Sequence, residues 1–110
     1  MLTVKSIPTN KEILTKATEL IQTYGWIQHS AGSKSKGYCS FGALHDAILS
    51  FYSDWEERDK AENSTLDLLN NQVKNVSSDH TNIVGYNDEL NRTKDEVLTI
   101  FRRAIDECIS

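Results

Sequence analysis

The chain has 110 residues, 38% of them hydrophobic and 25% charged, with a formal net charge of −4. These proportions fit one domain (1–110) with a modest core rather than a disordered chain. The longest apolar runs fall far short of the ~20 residues that cross a bilayer, so a membrane partner is excluded. The charge is uneven. Residues 1–55 carry five lysines against Glu12, Glu19, Asp46 and Asp54, whereas 56–110 carry seven basic and twelve acidic side chains. Non-specific nucleic-acid binding needs a dense positive face, and none is visible. The acidic half instead suits a solvated surface or a protein partner with a basic surface.

The N-terminal stretch "MLTVKSIPTNK" lacks a basic start followed by an apolar run, so a cytoplasmic, reducing location is expected, with Cys39 and Cys108 as free thiols. The first helix opens on Thr9 with Glu12 three residues on, the reciprocal capping box that satisfies two backbone amides. Ile13, Leu14, Ala17, Leu20, Ile21 and Tyr24 then form one apolar stripe, and Gly25 closes the helix. Trp26-Ile27-Gln28 has the character of a brief strand. Residues 29–38, "HSAGSKSKGY", offer little to bury and read as a mobile surface loop.

A second helix is expected from near Ser40 to about Tyr52, with Phe41, Leu44, Ala47, Ile48 and Phe51 inward and His45, Asp46 and Ser50 off that face. Gly42 and Ala43 let another backbone approach closely. Ser53-Asp54-Trp55-Glu56 has capping-box spacing, so the chain breaks and restarts there. Residues 53–62 read as a charged connection, a third helix spans about 62–75, and 75–82 is a polar connection. Ile83-Val84-Gly85-Tyr86 has extended character. The last helix starts at Thr93-Lys94-Asp95-Glu96, another capping box, and buries Val97, Leu98, Phe101, Ala104, Ile105 and Cys108, with Arg102 and Arg103 facing water. The fold class is mainly α: a small domain of three to five helices with one or two short extended segments.

Four fragments, "YGWIQ", "GYCSFGAL", "IVGYND" and "NRTKDEVLTIFRRAI", stand in order along the chain. Together they resemble an uncharacterised family of small bacterial and phage proteins. Its pattern is GW-x-Q, then aromatic-Cys-x-x-Gly-Ala-Leu, then aromatic-Asn-Asp, then Arg-Thr-x-x-Glu-Val. The chain departs from it with Tyr38 and Tyr86 where tryptophan is commoner. The resemblance implies no activity. It marks Trp26, Gln28, Cys39, Gly42, Asn87, Asp88, Arg92 and Thr93 as positions to weigh.

Three classes of function remain open. Cys39 stands at the start of a helix, where the dipole favours a thiolate. A hydrolase would pair it with His80 as base and Asp88 or Asn87 as orienter. The competing reading is a small thiol buried where helices meet, which is the commoner use of a free cysteine. A second class, a binder of a nucleotide-like anion, would use Trp26, Gln28, Asn87 and Arg92 beside the last helix's amides. The competing reading there is turn closure by Asn87 and Asp88. The third class, favoured by size, acidity and the resemblance, is a non-enzymatic protein that binds another macromolecule, for example a phage- or mobile-element-encoded inhibitor of a host defence protein. Its partner-facing patch would be Tyr52, Trp55, Glu56 and Glu57. No cysteine or histidine pair has metal-ligand spacing, so no metal or other cofactor is expected.

Overall fold

The structure, a computed structural model, describes residues 8–108. Its elements in chain order are α1 (Asn10–Tyr24), β1 (Gly32–Ser33), β2 (Gly37–Tyr38), α2 (Ser40–Phe51), α3 (Trp55–Val76), α4 (Ile83–Asn87) and α5 (Lys94–Glu107). The expected starts of α1, α2 and α5 are realised. Thr9 and Thr93 each accept a hydrogen bond from the backbone of the glutamate three residues on, and that glutamate returns the bond.

The core forms where α1 packs along α2 and α5 closes over α1 and α3. Ile13, Leu14, Ala17 and Ile21 meet Ala43, Leu44, Ala47 and Ile48, and the far side is filled by Leu69, Val73, Val97, Ile100, Phe101 and Ala104. Every one of these is almost wholly removed from water. At roughly 1.5–3 kcal/mol per large side chain, this burial is the main force that holds the helices together. Ile105 and Cys108 pack at the margin, while Tyr24 ends its stripe exposed. Arg103 faces water but donates from Nε to the buried Gln72 side chain at 3.0 Å.

Five expected segments differ. Residues 53–62 are not a connection, because α3 already begins at Trp55, capped by Asp54 rather than Ser53. A single 22-residue helix results, since Ala61, Thr65, Leu69, Gln72 and Val73 recur on one inward face that continues across both halves. The polar connection is accordingly shorter, starting at Ser77. Residues 83–87 are helical, not extended: Asn82 caps Gly85 N–H at 2.8 Å and the Asn70 side chain takes Ile83 N–H at 2.8 Å. Residues 29–38, expected as a mobile surface loop, hold an antiparallel hairpin pairing Gly32 with Tyr38 and Ser33 with Gly37. Its second strand is buried. Gly32 and Gly37 have φ of 87° and 92°, which side chains seldom adopt, and a Cβ on Gly32 would lie 2.0 Å from the Gly37 carbonyl oxygen. Trp26 forms one bridge to Tyr38 rather than a strand of its own.

Candidate functional site

Cys39 is the N-cap of α2, and its Sγ accepts the Gly42 N–H at 3.2 Å. Ser40, the first helical residue, is fully buried. A buried N–H with no partner is costly, and the helix itself provides none at its first position. The partner comes from forty-seven residues away: Asn87 Oδ1 accepts Ser40 N–H at 3.0 Å and the Ser40 hydroxyl at 2.7 Å. The same oxygen accepts Trp26 Nε1–H at 2.7 Å.

The rest of Asn87 is equally engaged. Its Nδ2 donates to the Ile27 carbonyl at 3.2 Å and to Asp88 Oδ1 at 2.9 Å, and Asp88 Oδ1 also accepts His29 N–H at 2.9 Å. Gln28 Nε2 donates to the carbonyls of Asn87 and Glu89 at 3.0 and 2.8 Å. Trp26, Gln28, Asn87 and Asp88, all singled out in the sequence, therefore converge in one clasp that joins the end of α4 to the segment after α1 and the start of α2. Ser40 was not singled out; a serine directly before an apolar helix looks like an ordinary capping residue.

Arg92 lies beside the clasp and turns away from it. Its Nε donates to the Tyr86 carbonyl at 2.8 Å, its guanidinium carbon stands 3.6 Å from the Tyr86 ring centroid, and Nη1 pairs with Glu96 at 3.1 Å. The Thr93 backbone and hydroxyl, with Arg92, hold the Glu96 carboxyl below its ordinary pKa against the opposing effect of burial. His80, the proposed base for Cys39, instead shares a hydrogen bond with Glu89 Oε2 at 3.2 Å and packs edge-on against Tyr86. Among the described residues Cys39 and His80 make no hydrogen bond to each other. Cys108 is half-buried, its Sγ–H donating to the Ala104 carbonyl at 3.3 Å; burial raises its pKa, with Lys11 opposing.

Of the four partner-facing candidates, Trp55, Glu56 and Glu57 open α3, whereas Tyr52 caps the end of α2 and packs against the core. Trp55 is 69% exposed. Glu56 and Glu57 occupy the first turn, where Asp54 accepts Glu57 N–H at 3.2 Å. Tyr52 is half-buried, and its carbonyl accepts Arg58 Nε–H at 3.0 Å.

One further feature escaped the sequence reading. Tyr38, 1% exposed, donates its hydroxyl to Asp46 Oδ2 at 2.7 Å. Burial first, then this bond and the Asp46 charge, push its pKa up to about 12. The pair floors a groove between α1, the hairpin and α2 with a volume of about 500 Å³. Asp46 was legible only as one of the polar residues off the apolar face of α2, and nothing local marked it as the partner of Tyr38. Among the described residues no three His, Cys, Asp or Glu side chains cluster as a metal ion would need, and no helix is long and apolar enough to cross a membrane.

A family of unknown function, DUF6197, has a model that matches residues 6–107. The chain belongs to this family. DUF6197 membership agrees with the resemblance to an uncharacterised family. Comparison with curated proteins and with solved structures gave no match.

Proposed function

We propose that this DUF6197 protein acts by binding another macromolecule through the start of α3, without catalysing a reaction. The observation that carries the reading is Trp55, 69% exposed and flanked by Asp54, Glu56 and Glu57. An aromatic of this size left in water is the kind of residue on which binding hot spots are built, and its acidic flank favours a partner with a basic surface. The internal engagement of Trp26, Gln28, Asn87 and Arg92 supports a structural over a ligand-binding role for them. The separate hydrogen bonding of Cys39 and His80 supports the non-catalytic reading in the same way. In its finer form the proposal is an inhibitor encoded by a mobile element and directed at a host defence protein, resting on small size, acidity and the family resemblance.

The test is affinity capture from host lysate with wild-type protein, Trp55→Ala, the Glu56→Lys/Glu57→Lys pair and Cys39→Ser in parallel, followed by binding measurements on the purified partner. Trp55→Ala should weaken binding by about 2 kcal/mol or more. Charge reversal should slow association and remove its salt dependence. Cys39→Ser should bind like wild type. A partner held equally well by all four proteins would remove this surface from consideration.

A further inference from the structure

The groove between α1, the hairpin and α2 lies apart from Trp55 and has a different chemistry. We propose that it is a binding site for a small dipolar molecule of the amino-acid class, whose ammonium meets Asp46 and whose carboxylate meets Lys16 and Lys34.

The volume of about 500 Å³ falls within the roughly 300–1,000 Å³ typical of small-molecule sites. Its floor is pre-organised. Tyr38 is buried and donates to Asp46 Oδ2 at 2.7 Å, so the carboxylate is held in one orientation. Its other oxygen, Oδ1, has no hydrogen-bond partner among the described residues and is available to a donor. Tyr24 and Leu49, 38% and 39% exposed, give the groove half-exposed apolar walls. Lys34 comes from the hairpin and stands with Nζ 5.8 Å from the Tyr24 ring centroid; Lys16 comes from α1. Among the described residues neither lysine makes an ion pair. The lining thus holds two cations, Lys16 and Lys34, against two carboxylates, Glu19 and Asp46.

This balance selects the ligand class. A simple anion would gain from the lysines and be opposed by Asp46 and Glu19; a simple cation meets the reverse. Only a molecule carrying both charges finds a complement for each, and an apolar side chain on it would lie along Tyr24 and Leu49. Specificity of this kind comes from what the site repels as well as what it attracts.

The experiment is a ¹H–¹⁵N NMR titration of the full chain with the free amino acids, alongside a straight-chain amine and a straight-chain carboxylate as singly charged controls. An amino acid should move the amides of Tyr24, Lys34, Asp46 and Leu49, and the controls should bind at least about tenfold more weakly. Asp46→Asn still accepts the Tyr38 hydroxyl but loses the charge, and should weaken binding about tenfold; Lys34→Gln should do the same. Unmoved amides at Ser40 and Asn87 would show that these variants keep the fold. The proposal is overturned if no amino acid moves the groove amides up to about 10 mM. Equal binding by either control on the wild-type chain, or binding indifferent to Asp46→Asn, overturns it as well.

Discussion

Replacing Asn87 by alanine is the sharpest perturbation of the clasp. The side chain is 1% exposed and makes five hydrogen bonds. Alanine leaves the Ser40 N–H and hydroxyl without a partner in a fully buried position, and each such group costs about 1–3 kcal/mol. Trp26 and Ile27 are only half-buried residues, so losing their bonds to Asn87 costs less than at Ser40. The sum is about 3–5 kcal/mol, against a total stability of roughly 5–15 kcal/mol for a chain of this size. The melting temperature should fall by about 15–25 °C. Thermal and urea unfolding followed by circular dichroism measure both quantities. Asn87→Asp separates the roles of the two side-chain ends: a carboxylate still accepts the three donors, but its second oxygen faces the Ile27 carbonyl and the Asp88 carboxylate. That variant should therefore be destabilised too, more at neutral than at acid pH. A loss below about 1 kcal/mol for Asn87→Ala would refute the reasoning, because it would mean water replaces the clasp freely. So would simple additivity with Trp26→Phe, since two groups in direct contact must couple.

Gly42→Ala places a Cβ 1.9 Å from the Ala31 carbonyl oxygen, a backbone atom, and should cost about 3 kcal/mol in urea unfolding. Gly85→Ala, whose nearest neighbour is the His80 side chain at 3.3 Å, should be much milder. Cys39→Ser should be neutral or slightly stabilising, since serine caps a helix well, whereas Cys39→Ala should cost about 1 kcal/mol. The native Cys39 thiol, buried and engaged with Gly42, should resist iodoacetamide until denaturant is added; rapid native alkylation would revive the nucleophile. Tyr38 keeps its proton to about 12 in the folded chain, while an unfolded tyrosine loses it near 10. Its contribution is therefore fully present below pH 10 and is lost as pH rises toward 12, by up to about 1.4 kcal/mol per pH unit. Urea midpoints at about pH 9 and about pH 11 should show this fall, and Tyr38→Phe should remove its share of the slope.

Near neighbours in sequence decided α1, the start of α2 and α5. Thr9 with Glu12 and Thr93 with Glu96 close their capping boxes within one turn, and the stripes from Ile13 to Ile21 and from Val97 to Ala104 follow from helical spacing alone. Trp26, Gln28, Asn87 and Asp88 were marked as positions to weigh by the family resemblance. What they do was not legible. The Asn87 bonds to Trp26 and Ser40 span sixty-one and forty-seven residues, and no local pattern reports a pairing at that distance. The hairpin in 29–38 was hidden for a related reason: its polar composition describes a loop, and only pairing with the segment after α1, where the Gly25 carbonyl accepts Tyr38 N–H and Ile27 N–H donates to the Tyr38 carbonyl, satisfies the buried backbone of Tyr38. Tertiary structure also turned Ile83–Asn87 into a helix, because Asn70 on α3 supplies the acceptor for its first amide. Local sequence set which segments form helices with their own caps; long-range hydrogen bonds decided how polar side chains between those helices are used.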